Sequence, residues 1–216
     1  MNTNIKMLID ELHRAFYLFN KHYYNNKLPE PAILIQNRGN KKNVLGWCSV
    51  NKIWKNNMNN ERKWEINLVA EYMNRGLFPI MGTLLHEMAH LYNLSNNIQD
   101  VSRNGTYHNK KFKETAENAG LIIEHDKRIG WSITRLNNEC MKFIKDNGFS
   151  EEVFTLSRLE PLEAYKSGDD DEEGNIIEKP KQSTRKYICP TCGTIVRATK
   201  DVKIICGECN IDFVLE

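Results

Sequence analysis

Thr83-Leu84-Leu85-His86-Glu87-Met88-Ala89-His90 is the stretch that decides how this chain folds. On a helix advancing about 100° per residue, His86 and His90 fall within about 40° of each other, so both imidazoles reach one metal ion. Glu87 points about 60° away from His90 on the same side. A carboxylate there stands beside the metal without ligating it, where it can take a proton from an attacking water. Leu84, Leu85, Met88 and Ala89 mark the helix as buried, and two His plus a Glu in a buried helix need partners. The pattern encodes metal-assisted hydrolysis.

The flanking sequence gives this helix its boundaries. Pro79 fits a first turn, and Asn96-Asn97 closes the far end. Upstream, Ile5, Leu8, Ile9, Leu12, Phe16, Phe19 and Tyr23 recur at helical spacing over residues 5–24 and stop at Asn25-Asn26. His13 and His22 on that helix have no ligand set near them. Residues 32–36, 44–54 and 64–69 are expected as three strands of a small, mainly antiparallel sheet, the last two joined by a polar turn over 55–63. A short helix over 71–75 ends at Gly76. Downstream, residues 109–118 form a helix stopped by Gly120, 121–124 and 131–134 are strand-like, and 136–146 form a helix ending at Gly148.

The 216 residues, 40% of them apolar, suffice for one ordinary domain with a small appendage. No apolar run approaches a membrane span and no secretory signal is visible, so a cytoplasmic protein with no membrane partner is expected. Charge is unevenly spread. Residues 1–158 carry 22 Lys+Arg and 16 Asp+Glu, 159–184 carry 3 and 8, and 185–216 carry 5 and 4, so a basic body precedes an acidic connector. The chain is rich in asparagine, which by itself carries no functional meaning.

A hydrolytic zinc takes three protein ligands and leaves one position open. Asn93 and Asn96 stand where the metzincin extension needs Gly and His, which excludes that class. On the residues alone the third ligand is Glu114 or Glu117, or else His108, which lies in a Gly-containing loop, Gly105-Thr106-Tyr107-His108, that enters the next helix.

At these residues the chain resembles the SprT-like metallopeptidases. The resemblance rests on Leu84 to His90, on the later segment carrying His108 and Phe112, and on the preceding order of a helix ending near Asn25, Lys27-Leu28-Pro29, a strand, then Leu45-Gly46-Trp47. It covers most of residues 5–125. It implies an α+β fold: a small zincin-like metallopeptidase domain, helices packed on a short, mainly antiparallel sheet, with a C-terminal zinc ribbon. It also implies His86, His90 and His108 as zinc ligands, Glu87 as general base, and a protein or peptide substrate. Tyr107 before the third His departs from the family pattern, and His125, beside Asp126, is the next candidate ligand and is read as a surface residue. The family includes proteases of DNA-crosslinked proteins, so the resemblance also brings in DNA as a partner. The basic body agrees with this without demanding it.

Cys189-Pro190-Thr191-Cys192-Gly193 and Cys206-Gly207-Glu208-Cys209-Asn210 are two knuckles that set four thiolates for a second, structural zinc. Four cysteines leave no open position, and the module is too small to fold on an apolar core alone. Cys48 and Cys140 stand apart, and Cys48 is expected as a small buried hydrophobe. The expected organisation is a metallopeptidase domain over residues 1–158, an acidic flexible linker over 159–186 and a four-cysteine zinc ribbon over 187–216. A competing expectation is a non-proteolytic, nucleic-acid-binding or transcription-associated ribbon protein with a metallopeptidase-like scaffold. The intact Glu87 speaks against it, because a scaffold needs the three histidines but not the base.

Overall fold

The computed structural model describes residues 4–39, 44–159 and 184–216, distributed over two compact units, Met1–Leu162 and Glu163–Glu216. Most of the expected acidic linker, residues 160–183, lies outside the described residues.

The first unit opens with α1 (Ile5–Tyr24), whose apolar spacing buries Leu8, Leu12, Ala15, Phe16 and Phe19. Asn4 Oδ1 accepts the Met7 N–H at its start, and Asn25, with φ 52°, closes it in the left-handed region. Five strands follow: β1 (Ala32–Gln36), β2 (Gly46–Cys48), β3 (Trp54–Lys55), β4 (Arg62–Lys63) and β5 (Glu65–Val69). β5 is buried along its whole length and lies centrally in the order β1-β5-β2. β1 runs parallel to it and β2 antiparallel, so this sheet is mixed. The single strand expected over 44–54 is interrupted at Ser49, whose hydroxyl accepts the Glu65 N–H at 2.8 Å and donates to the Asn51 carbonyl at 2.8 Å. The chain then leaves the sheet and returns through the β3–β4 hairpin.

α2 (Leu77–Ser95) carries the quoted stretch. It starts at Gly76, places Pro79 in its first turn, ends at Asn96, and buries Ile80, Met81, Leu84, Leu85, Met88, Ala89 and Leu91 in the core. Beyond it come β6 (Val101–Ser102), β7 (Tyr107–His108), α3 (Lys110–Asn118), β8 (Leu121–Asp126), β9 (Gly130–Leu136) and α4 (Asn138–Asp146). The strands form a second sheet ordered β6-β7-β9-β8. The sheet expected as mainly antiparallel thus has one parallel and one antiparallel pairing, whereas among the described residues the second sheet is antiparallel except where β7 meets β9.

The asparagine excess has a structural account. Asn109 and Asn137 cap α3 and α4 through their side chains as Asn4 caps α1, and Asn25, Asn26, Asn60, Asn97, Asn104 and Asn210 adopt positive φ. Asn tolerates that region better than other residues with a Cβ.

In the second unit β10 (Arg185–Ile188) lies between β11 (Ile195–Ala198) and β12 (Val214–Leu215), antiparallel to both. β10 begins within the stretch expected as linker, and Ile205 pairs with Asp212 in an isolated bridge. Among the described residues no helix is long and apolar enough to cross a membrane.

Candidate metal centre

His86 and His90 project from one face of α2, and β7 brings His108 to them. Each offers one nitrogen, and the three nitrogens lie within 4.8 Å of one another. His108 is delivered by a strand rather than the expected loop. β7 pairs with β9 at His108 and Gly130, where φ is 75° and an added Cβ would lie 2.1 Å from the His108 carbonyl oxygen. Only glycine permits that approach. On the other side Asn109 accepts the Lys111 and Phe112 N–H groups and donates to the Gln99 carbonyl, fixing the entry to α3. Phe112, fully buried, forms the floor: its ring centroid is 4.6 Å from that of His86, 4.5 Å from His90 and 4.6 Å from His108.

The partners of the remaining ring nitrogens fix the tautomers. His90 Nδ1 lies 2.7 Å from Asp100 Oδ2, and His108 Nδ1 lies 3.3 Å from the Ile129 carbonyl. A carboxylate and a carbonyl only accept, so both Nδ1 atoms carry a proton, and in the neutral rings both Nε2 atoms present lone pairs. Those two Nε2 atoms face each other at 3.1 Å. Two ring nitrogens at that distance need a proton or a metal ion between them, and a tetrahedral zinc spaces its nitrogen ligands at about 3.3 Å. The residues fit the metal. Burial, then the neighbouring His90 and His108, hold His86 well below its ordinary pKa. Burial and His90 lower His108 to about 4. Both rings are therefore neutral and ready to ligate near pH 7.

Asp100 is the functional residue that sequence reasoning missed. It is 3% exposed, and Asn93 donates to the same oxygen at 3.0 Å while accepting from Thr115 at 2.8 Å. Burial pushes its carboxyl up, but the hydrogen bonds from His90 and Asn93 outweigh this and leave the pKa lowered. The only available signal was the general habit of a ligating His to donate its second N–H to a carboxylate, which does not choose among the acids. Asn93, used above only to exclude a protease class, holds that carboxylate.

Glu87 is 4% exposed and faces β2. A Cβ added at Gly46 would stand 3.2 Å from Glu87 Oε1, 3.1 Å from Thr83 Cγ2 and 2.8 Å from the Asn67 carbonyl oxygen. The bare backbone of Gly46 thus passes directly over the carboxylate. Cys48, two residues on, is partly buried, and burial followed by the Glu87 charge pushes its thiol pKa up, as befits an inert side chain.

The other candidates lie elsewhere. Glu114 and Glu117 are exposed on α3, and His13 and His22 sit on α1, the latter stacked on Phe143 at 4.3 Å. His125 is exposed and lies 3.1 Å from the Tyr107 hydroxyl.

In the second unit the Sγ atoms of Cys189, Cys192, Cys206 and Cys209 lie within 4.8 Å of one another. Cys192 Sγ and Cys206 Sγ are 3.7 Å apart, too far for a disulfide and close to the about 3.8 Å between thiolates on one tetrahedral zinc. The knuckles repeat one geometry: Gly193 N–H donates to the Cys189 carbonyl and Asn210 N–H to the Cys206 carbonyl, with φ 72° at Gly193 and 51° at Asn210.

Three convergent imidazoles, two of them on a helix that also carries a glutamate, set against a short sheet, define a metallopeptidase-like scaffold, here joined to a four-cysteine module fit for a zinc ribbon. The chain belongs to the SprT-like family, whose model matches residues 12–134, more than half of its length. No curated protein and no solved structure matches it.

Proposed function

We propose that the chain is a zinc-dependent endopeptidase with Glu87 as general base. The observation that carries this is the convergence of one nitrogen each from His86, His90 and His108 within 4.8 Å, with Glu87 buried on the helix that carries the first two. Zinc held by His86, His90 and His108 supplies a Lewis acid for the scissile carbonyl and lowers the pKa of water toward about 7. The Glu87 carboxylate takes a proton from the water whose oxygen attacks the carbonyl carbon. As the C–N bond breaks it delivers that proton to the departing amine. β2 is an edge strand, so an extended peptide adds to its free side beside Gly46, which has no side chain to hold the peptide away from Glu87. The four cysteines hold a second, structural zinc. Protein on DNA is the substrate that family membership suggests, and the charge of the body does not contradict it.

The test is cleavage of a DNA-bound protein by the wild type and by Glu87→Gln, with and without single-stranded DNA. Loss of about 10²- to 10⁴-fold in rate is expected for the variant; equal cleavage by both proteins removes the base from Glu87. Indifference to DNA removes the DNA-linked substrate and leaves the peptidase.

A further inference from the structure

One helical turn before Glu87, a cavity of about 390 Å³ opens at the start of α2. Leu45, Phe78, Leu136 and Met141 give it apolar walls, and Thr83 and Arg75 lie at its polar side. It adjoins the candidate site through Thr83 and Leu45. Thr83 and Glu87 are four residues apart on one helix face, about 6 Å along the axis, and Gly46 sits against both. Leu45, which precedes Gly46, lines the cavity. A peptide laid along β2 advances about 3.4 Å per residue, so the cavity meets a side chain one or two positions from the bond beside Glu87.

Arg75 brings its charge to the cavity wall against neutral partners. Arg75 Nε donates to the Tyr72 carbonyl and Nη2 to Thr83 Oγ1, both at 2.9 Å, so its polar partners are neutral oxygens. Among the described residues no carboxylate pairs with it, whereas the cavity's other guanidinium, Arg135, is bonded to Glu124. Burial alone draws the Arg75 pKa down, the mark of a cation desolvated without a counter-ion. The start of α2 adds to the same field: Gly76 provides no side-chain cap, and the first turn holds no acidic residue. A part-buried cation beside an uncapped helix start calls for an anion, and a guanidinium binds carboxylate with particular geometric fit.

We infer that this cavity is a specificity subsite for a substrate residue bearing a carboxylate, its methylenes on the apolar wall and its charge on Arg75. The inference rests on the peptidase reading for its substrate. The carboxylate is either a Glu or Asp side chain or the free end of the peptide, and the experiment separates them.

The experiment uses the full chain and matched peptides carrying Glu, Gln, Leu or Lys at positions flanking the cleaved bond, each with a free or an amidated C-terminus. Cleavage is measured with wild type, Arg75→Met and Arg75→Lys, and binding of the same peptides with Glu87→Gln. A charged hydrogen bond of the usual strength corresponds to about 10- to 100-fold in kcat/KM. That preference for Glu over Gln is expected in the wild type, absent in Arg75→Met and partly kept in Arg75→Lys. Preference for the free over the amidated terminus instead assigns the carboxylate to the chain end. Equal kcat/KM ratios in wild type and Arg75→Met overturn the subsite. If no peptide is cleaved, the binding arm still decides: Glu87→Gln that binds Glu and Gln peptides alike overturns the subsite, while a Glu preference upholds it and places the failure in the peptidase reading.

Discussion

Asp100 Oδ2 lies 2.7 Å from His90 Nδ1, so the second histidine of the helix is oriented by a buried carboxylate from outside that helix. Removing it as Asp100→Ala frees the imidazole to rotate and to shift its proton to Nε2. Zinc affinity is expected to fall about 10- to 100-fold, measured by competition with a chromogenic chelator. An unchanged affinity would show that Phe112 and the helix alone hold the ring.

Two donor sets of different chemistry predict separable metals. About two zinc ions per chain are expected by elemental analysis. His108→Ala removes one and leaves the ribbon's ion; replacing the four cysteines with serine removes the other. A single variant that empties both sites would contradict independent centres.

Gly46→Ala tests the approach of β2 to the base. Its new Cβ stands 2.8 Å from the Asn67 carbonyl oxygen and 3.2 Å from Glu87 Oε1, so strand or carboxylate must shift. A displacement on the order of 1 Å at a catalytic group costs about 10²-fold in rate. Zinc content should stay at the wild-type level, since no ligand is touched. Full peptidase activity in this variant would place the working position of Glu87 elsewhere.

Phe112→Ala removes the floor beneath three imidazoles from a fully buried position. Denaturant unfolding should show a loss of about 3–5 kcal/mol. Phe112→Leu, which refills most of the volume, should recover much of the stability but not the ring packing, so its zinc affinity should lag behind its stability.

Glu30 gives a pH dependence remote from the metal. The Tyr17 hydroxyl donates to one of its oxygens at 2.7 Å and Lys63 to the other at 2.9 Å, and these bonds lower its pKa. A carboxylate lowered in the folded state stabilises above its unfolded pKa, about 4.3, and loses that contribution as pH falls through the lower folded value. Its side chain is 47% exposed, so solvent screening limits the effect to a few tenths of a kcal/mol, order of magnitude. Glu30→Gln should be less stable than wild type at pH 7 and indistinguishable at pH 2. A difference that persists at pH 2 would trace to packing.

Local chemistry made much of this architecture legible in the sequence. The period from Ile5 to Tyr24 gave α1 with its ends in place, and the apolar setting of His86 and His90 marked α2 as a buried helix. The ribbon knuckles followed from their spacing. Features set by distant partners were hidden. β7 is two residues long and exists because Gly130 allows the His108 backbone to approach. β1 runs parallel to β5 because of the chain's path between them, which no local pattern encodes. Asp100 matters only through a helix ten residues earlier, and Ser49 breaks a strand through a bond to Glu65.

The caps on α1, α3 and α4 are all amide side chains. An amide does not titrate in the acid range, so the joints that start these three helices hold alike at pH 7 and pH 4, where aspartate caps would be losing their charge. Protons can therefore compete for the histidine ligands while the frame around them keeps its hinges closed. Acid that loosens the ion does not, by that route, loosen the starts of these three helices.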